Sequence, residues 1–309
     1  MRISVAMATY NGETTIVEQL MSIFKQSLPV DEVIICDDCS KDNTAAVVEK
    51  YISDNKLSDK IKIIVNEHNL GYASNFVKAM YECHGDYIFF CDQDDIWYPD
   101  RVKKMMDVME ANSKIQVLGS EFEPFIDSDN ALSVPGWELR EFKNDGSVEK
   151  VVFDSHNIFI GCQGCTMCVR QSFAQRIRPY WFEGWAHDEF VWKLSLSVDG
   201  LYIYHYKSLK RRVHDKNVSL HKMHDMAVRL KFLENLGKSH KATLKFSEDI
   251  NAEEYKIKLL EKNIKATDLR IKLLKDKKYF NTVPLAIRYS DCYHKARAIL
   301  MELYMAIKQ

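Results

Sequence analysis

At 309 residues the chain can bury a large core, as one α/β domain with an appendage or as two domains. Its 46% apolar and 28% charged residues and formal net charge of -1 are those of an ordinary globular protein and argue against a dedicated nucleic-acid binder. No run approaches the ~18 to 20 apolar residues that span a bilayer, no signal-peptide pattern opens the chain, and the eight cysteines lack the density of a secreted scaffold, so a cytoplasmic protein with reduced thiols is expected.

Arg2 to Ala8 is a β-rich run that turns at Thr9-Tyr10-Asn11-Gly12, and Ile16, Leu20, Ile23 and Phe24 follow at helical spacing. The pattern repeats with a strand over Glu32 to Cys36, a polar turn over Asp37 to Asp42, and a helix over Thr44 to Ile52 that Asp42 could cap. A third strand, Ile61 to Val65, leads through Asn66 to Gly71 into a helix from about Ala73 to Cys83. Tyr87 to Cys91 is the fourth strand, and Pro99 opens a further helix. Four β-to-α units predict a mostly parallel sheet with helices on both faces, whose ligands sit beyond the carboxyl ends of the strands. Residues 115–215 are less regular, with strands at Gln116 to Glu121 and Leu201 to Tyr206 and a helix over Asp188 to Ser197. From Leu220 the chain is predominantly helical, interrupted only by Pro284.

The fourth strand ends in Asp92-Gln93-Asp94-Asp95-Ile96-Trp97. Clustered carboxylates at a sheet edge repel one another unless a cation neutralises them, and Asp92 and Asp94 could share a hard divalent ion with diphosphate oxygens. A solvated, helix-capping turn is the alternative on spacing alone. Asp37-Asp38 ends another strand, where a carboxylate can accept a hydrogen bond from a uracil or thymine ring N–H. An EF-hand is excluded there, because its sixth position lacks glycine. No Gly-x-Gly-x-x-Gly turn or Gly-Lys-Ser/Thr loop is present, so a metal is the natural partner for phosphate charge. Cys162-x-x-Cys165-x-x-Cys168 lacks a fourth cysteine at iron–sulfur spacing, and Cys36-x-x-Cys39 is a weak redox signal.

Together, Ala8-Thr9-Tyr10-Asn11-Gly12, Asp37-Asp38-Cys39-Ser40-Lys41-Asp42-Asn43-Thr44, Asn69-Leu70-Gly71 with Asn75, and the acidic tetrad with Ile96-Trp97 resemble family 2 glycosyltransferases of GT-A fold. The likeness is greatest to the rhamnosyltransferase-like branch of bacterial cell-surface polysaccharide enzymes and covers roughly residues 1–220. The resemblance implies a metal-dependent, inverting transfer of a sugar from a dTDP or UDP donor, with Mn²⁺ or Mg²⁺, to a growing surface glycan or lipid-linked saccharide. Ala8, Thr9, Tyr10, Asn11, Glu13, Asp38, Asn69, Gly71, Asn75 and Gln93 would bind the donor, with Asp38 reading the pyrimidine. Asp92 and Asp94 match the Asp-x-Asp metal signature, in which the second aspartate, Asp94, would be the principal ligand of the ion on the donor diphosphate. In the Arg-x-His-like segment, Arg211 and Arg212 would offset phosphate charge and His214 would be a third metal ligand. Asp188 would be the general base, with Glu189 as the alternative and helix capping as the plain one. Asp95, Trp97, Gly164, Cys165, Thr166, Trp185 and His187 would contact acceptor or sugar. The family usually has glycine where this chain has Cys39.

The domain reading is a catalytic unit over 1–220, split into a nucleotide-binding half (1–115) and an acceptor-binding half (116–220), followed by a helical region over 221–309. Residues 1–240 carry 28 Lys+Arg against 35 Asp+Glu, whereas 241–309 carry 15 against 9. The mixed apolar and cationic helix over Thr243 to Lys278 could lie on an anionic membrane, pack on the core, or form a dimer. Two rival functions are a sugar-phosphate nucleotidyltransferase, which usually carries a glycine-rich basic loop absent here, and a non-catalytic nucleotide-sugar binder.

Overall fold

The run Ile3–Thr9 forms β1, buried at every position, as a parallel strand covered on both faces must be. In the computed structural model, which describes residues 1–127, 139, 142–213 and 225–308, it is flanked by two parallel neighbours. These are β2 (Glu32–Asp37) and β4 (Tyr87–Asp92), and β3 (Ile61–Val65) extends the sheet beyond β2. The crossovers are α1 (Ile16–Phe24), α2 (Thr44–Asn55) and α3 (Tyr72–Glu82). The expected α/β half is therefore observed, with shifts of up to three residues at helix ends, the largest at α2, which runs to Asn55 rather than Ile52.

The second half is mixed. After β5 (Ile96–Trp97) and α4 (Arg101–Ala111) come β6 (Val117–Ile126), β7 (Val148–Lys150), β8 (Cys168–Arg170), α5 (Gln171–Ile177), α6 (His187–Ser197) and β9 (Leu201–Val213). The sheet order is β3-β2-β1-β4-β8-β6-β9-β5, with β7 also on β9. β8 pairs antiparallel with both β4 and β6, while β6 and β9 run parallel. Three expectations shift. Pro99 lies before α4, whose N-cap is Asp100. The cap of α2 is Asn43, with Asp42 Oδ1 accepting the Thr44 N–H from one position earlier. β6 and β9 run well past the predicted strands.

Period-two alternation divides the core. Ile3, Val5 and Met7 pack with α1 and α4, while Ala6 and Ala8 face α3, α5 and α6. The tail comprises α7 (Met226–Asp249), α8 (Glu254–Lys275), α9 (Thr282–Arg288) and α10 (Ala298–Lys308). Phe246 of α7 and Leu260 of α8 join the same apolar cluster as Phe173, Trp185 and Phe190. The apolar side of α8 is thus spent on packing, and Lys256 is buried with Asp199 and Glu253, each at 2.7 Å. Pro284 sits in the first turn of α9, where its missing N–H costs little.

Glu302 of α10 is fully buried between Arg229 (2.6 Å) and Arg270 (2.8 Å), and it also accepts the Tyr293 hydroxyl at 3.1 Å. Although burial opposes ionisation, the two guanidiniums hold its carboxyl below the usual range. A depressed folded value stabilises the fold above the unfolded carboxylate range and loses that contribution as pH falls through the folded value. Glu302→Gln should therefore destabilise the fold by ~3 kcal/mol at neutral pH, with the gap to wild type closing in acid, as read by thermal unfolding at both pH values.

Candidate active site

The carboxyl ends of β1, β2, β3 and β4 converge at one edge, and their polar residues interlock. Gln93 Oε1 accepts the Thr9 hydroxyl (2.5 Å) and the Tyr10 N–H (2.7 Å), while its Nε2 donates to the Tyr10 carbonyl at 3.1 Å. It pins the β1 loop at the cleft edge, and a Cβ on Gly12 would collide with its amide. Asn11, at φ +51°, donates its N–H to Ser40 Oγ and accepts the Lys41 N–H at 2.7 Å. Cys39 adopts φ +62°, so the turn keeps the left-handed conformation that glycine usually supplies. Glu13 Oε2 accepts both N–H groups of Asn43 at 2.9 Å.

Asp38 is buried in a socket made by the segment after β3. Its Oδ1 accepts Leu70 N–H (2.7 Å) and Asn66 Nδ2 (2.9 Å), and its Oδ2 accepts Gly71 N–H (2.9 Å). A carboxylate offers about four acceptor directions, so one at Oδ2 is unused by any donor among the described residues. Asn69 donates to the Asp38 carbonyl at 3.0 Å. Asn75 is buried beneath, bridging Asn66 and the Cys36 carbonyl, so it braces the socket from below. Asn66 and Lys78, which donates to Asn66 Oδ1 at 2.8 Å, belong to this network although neither is among the residues inferred from sequence. The strand-end position of Asn66 was the available signal. Gly71 sits at φ +81°, ψ 151°, a region closed to side chains. Gly71→Ala should cost ~1–3 kcal/mol in thermal unfolding and weaken nucleotide binding in parallel, because its N–H would leave Asp38.

At the end of β4, donor atoms of Asp92, Asp95 and Cys165 lie within 4.8 Å of one another. Burial and the Asp94 charge push the Asp92 carboxyl up to about 7, opposed by Arg211. The same two causes raise Asp95 well above the carboxylate range. Asp95 Oδ1 accepts the Arg212 N–H at 3.0 Å, whereas its buried Oδ2 has no hydrogen-bond partner among the described residues. Asp94, expected as the principal metal ligand, lies outside the preformed group but acts on it electrostatically. The Cys165 thiol, raised far above its usual range by burial, is a soft and protonated group that suits Mg²⁺ or Mn²⁺ poorly. The oxygen donors do fit such an ion: their mutual repulsion and the orphaned Asp95 oxygen are what a hard cation relieves. His214 lies outside the described residues.

α6 begins with His187 and Asp188. Asp188 is partly exposed, accepts the Glu189 N–H at 2.8 Å, and is close enough to raise Asp92 through its charge. Glu189 is tied instead to the fully buried Lys193 (2.7 Å) and to Ser239 of α7 (3.2 Å). Glu189 Oε1 is thus held by two side chains, whereas Asp188 Oδ1 is met only by a backbone N–H of its own helix turn among the described residues. His187 stacks on Phe76 at 4.0 Å and 11°, and burial pushes its imidazole below the usual range. Neither ring nitrogen has a hydrogen-bond partner among the described residues. Gly164 lets this ring approach, since a Cβ there would strike Nε2.

Several residues expected at the acceptor are buried in the core. Trp97 is in the core beneath the sheet with the Arg101 guanidinium 4.4 Å above it. Trp185 is equally buried, stacked on Phe182 at 5.0 Å and against Phe190. Both indoles satisfy the core's demand for apolar volume rather than a sugar's demand for an exposed face. Thr166 donates its hydroxyl to the Gln163 carbonyl at 2.7 Å inside the 164–166 turn. Arg101, fully buried and overlooked by sequence pattern, holds that turn through the Cys165 carbonyl at 2.7 Å. Arg212 is committed to Glu18 (2.5 Å) and Asp127 (2.6 Å), which makes it a brace, while Arg211 lies over Phe122 and acts on Asp92 and Asp95. All eight cysteines are free, and of the 162–168 triplet only Cys165 joins a group of ligand spacing among the described residues.

A parallel half ending in an acidic strand terminus, continued by a mixed half, defines the GT-A class. Solved structures share it: Staphylococcus aureus TarS 1–349 in complex with UDP-GlcNAc superimposes with a TM-score of 0.67 at 20% identity, over 99% of this chain and 90% of that one. The mannosyltransferase PcManGT from Pyrobaculum calidifontis, in complex with GDP-Man and Mn²⁺, gives 0.57 at 14% identity over 99% and 87%. The chain belongs to glycosyl transferase family 2, whose profile matches residues 4–177. Among curated relatives, the putative glycosyltransferase EpsE of Bacillus subtilis is 36% identical over 38% of this chain and 42% of its own length. The dTDP-rhamnosyl transferase RfbG of Shigella flexneri is 39% identical over 35% and 38%. The matches thus span about two fifths of these relatives' lengths. Among the described residues, no helix is long and apolar enough to cross a membrane.

Proposed function

We propose that the chain is an inverting glycosyltransferase that moves one sugar from a dTDP- or UDP-linked donor to a bacterial surface glycan or its lipid-linked precursor. The observation that carries this reading is the partly exposed Asp188, near enough for its charge to act on Asp92 at the acidic end of β4, with the neighbouring Glu189 locked to Lys193. RfbG, named for dTDP-rhamnose, and the Escherichia coli enzyme WfgD, named for UDP-Glc and a diphosphoundecaprenol acceptor, support the donor and acceptor classes.

In this mechanism the remaining acceptor direction at Asp38 Oδ2 takes the pyrimidine ring N–H, with Tyr10 and Asn11 at the nucleotide's edge. Asp92, with Asp94 and Asp95 beside it, would hold Mn²⁺ or Mg²⁺. Bound there, the ion supplies positive charge against the departing diphosphate. Arg211 adds a second cation. Asp188 takes the acceptor hydroxyl's proton as its oxygen attacks the anomeric carbon, while the C–O bond to the diphosphate breaks on the opposite face. His187, neutral and stacked, shapes the wall beside that base.

The test is incubation of the protein with UDP- and dTDP-sugars and Mn²⁺, reading nucleoside diphosphate release and thermal stabilisation. Release of UDP or dTDP supports the assignment. Pyrophosphate release from a nucleoside triphosphate would replace it with the nucleotidyltransferase, and binding without turnover, even with acceptor extracts, would leave a binding protein.

A further inference from the structure

The tail turns a second surface to solvent, built from residues outside the candidate active site. Leu300, Tyr304 and Ile307 recur along one face of α10 and are 70, 56 and 64% exposed. Val283 and Ile287, one turn apart on α9, are 57 and 75% exposed, and Phe280, just before α9, is 91% exposed. The Tyr279 hydroxyl donates to the Ala306 carbonyl at 3.4 Å, tying the turn that carries Phe280 to the end of α10. Isolated exposed apolar residues are ordinary, but such a concentration on adjoining elements marks an interaction surface. Beside it an open groove of about 860 Å³ runs between α7 and α10, walled by Phe159, Phe232, Leu236, Leu300, Met301 and Tyr304.

The surrounding charge is predominantly of one sign. Residues 275–308 hold seven Lys+Arg and three Asp+Glu. Two of those acids are neutralised within the fold: Glu302 is buried by Arg229 and Arg270, and Asp291 pairs with Lys262 at 2.7 Å. Lys277, Lys278, Arg288, Arg297 and Lys308 are exposed, and Arg297 also lines the groove. A two-fold contact with a second copy would set this basic surface against itself, a juxtaposition that costs association energy.

We propose that the α9–α10 face docks on an anionic lipid bilayer, with its apolar side chains entering the headgroup boundary, the groove accepting an apolar chain, and the exposed cations meeting acidic headgroups. Its apolar residues lie beyond the Thr243–Lys278 segment suggested by sequence, which forms the end of α7 and α8 rather than one helix and turns its apolar side to the core, sharing with this face only Lys277 and Lys278. It stands whichever sugar or acceptor the cleft takes.

Flotation of the full chain with phosphatidylcholine vesicles, with and without phosphatidylglycerol, tests it. The protein is expected to float with the anionic vesicles and to detach as salt rises. Leu300→Glu/Ile307→Glu should reduce flotation at least ~10-fold, and Arg288→Glu/Arg297→Glu should abolish the preference for phosphatidylglycerol. All four positions are exposed, and thermal unfolding confirms that each variant is folded. Absence of wild-type flotation, or equal flotation by folded variants, overturns the proposal. A dimer in sedimentation that the same variants dissolve, without flotation, reassigns the face to a second copy.

Discussion

Asp188→Asn is expected to lower kcat by about 10³-fold, equivalent to about 4 kcal/mol, while leaving donor affinity within a few-fold of wild type. The amide keeps the shape of the side chain and its contact with the Glu189 N–H, but it cannot take a proton. Glu189→Gln is the informative companion. Its carboxylate is bound by Lys193 and Ser239, so its loss should act through the placement of α6, moving stability and KM as well as kcat. Single-turnover transfer with saturating donor separates the two outcomes. A fall confined to kcat in the Glu189 variant, with near-wild-type rates for Asp188→Asn, would move the base one residue along.

Asp92→Ala should remove Mn²⁺-dependent nucleotide stabilisation and reduce turnover by about 10²–10³-fold. Asp92 is the residue shared by the Asp-x-Asp spacing and by the preformed group with Asp95 and Cys165. Removing one of three crowded carboxylates relieves repulsion, so the melting temperature without metal should hold or rise. That separates loss of a site from loss of a fold. Thermal shift with UDP, with and without Mn²⁺, reads both quantities in one experiment. Cys165→Ser should leave the Mn²⁺ response in place. If Asp94→Ala abolishes it while Asp92→Ala does not, the ion rests on Asp94.

The parallel half was readable because each of its strands is a short apolar run closed by Asn, Asp or Gly, signals that act within a few residues. The mixed half was not. β8 has three residues and β5 two, and β6 pairs with β9 across more than eighty residues of chain, so neighbours rather than local pattern decide them. Trp97 and Trp185 were misplaced for a related reason: an indole beside acidic or histidine residues suits both a sugar and a core, and only packing tells them apart. The choice between Asp188 and Glu189 did have a local sign, since Lys193 lies four residues after Glu189 and can pair with it on one helix face. Sugar identity has no such sign in the matched segment. Relatives named for dTDP-rhamnose and for UDP-Glc align with much the same fraction of this chain.

The link from Glu189 through Lys193 to Ser239 has a consequence for how the protein fails. Lys193 is a buried cation whose charge is met by one carboxylate on its own helix and one hydroxyl on the tail. If mild heat or denaturant loosens α7, that lysine loses a partner and gains access to water, and the helix bearing Asp188 is the first to feel it. Loss of turnover should then run ahead of loss of helical signal, making activity a more sensitive thermometer of the tail than any spectroscopic probe of the sheet.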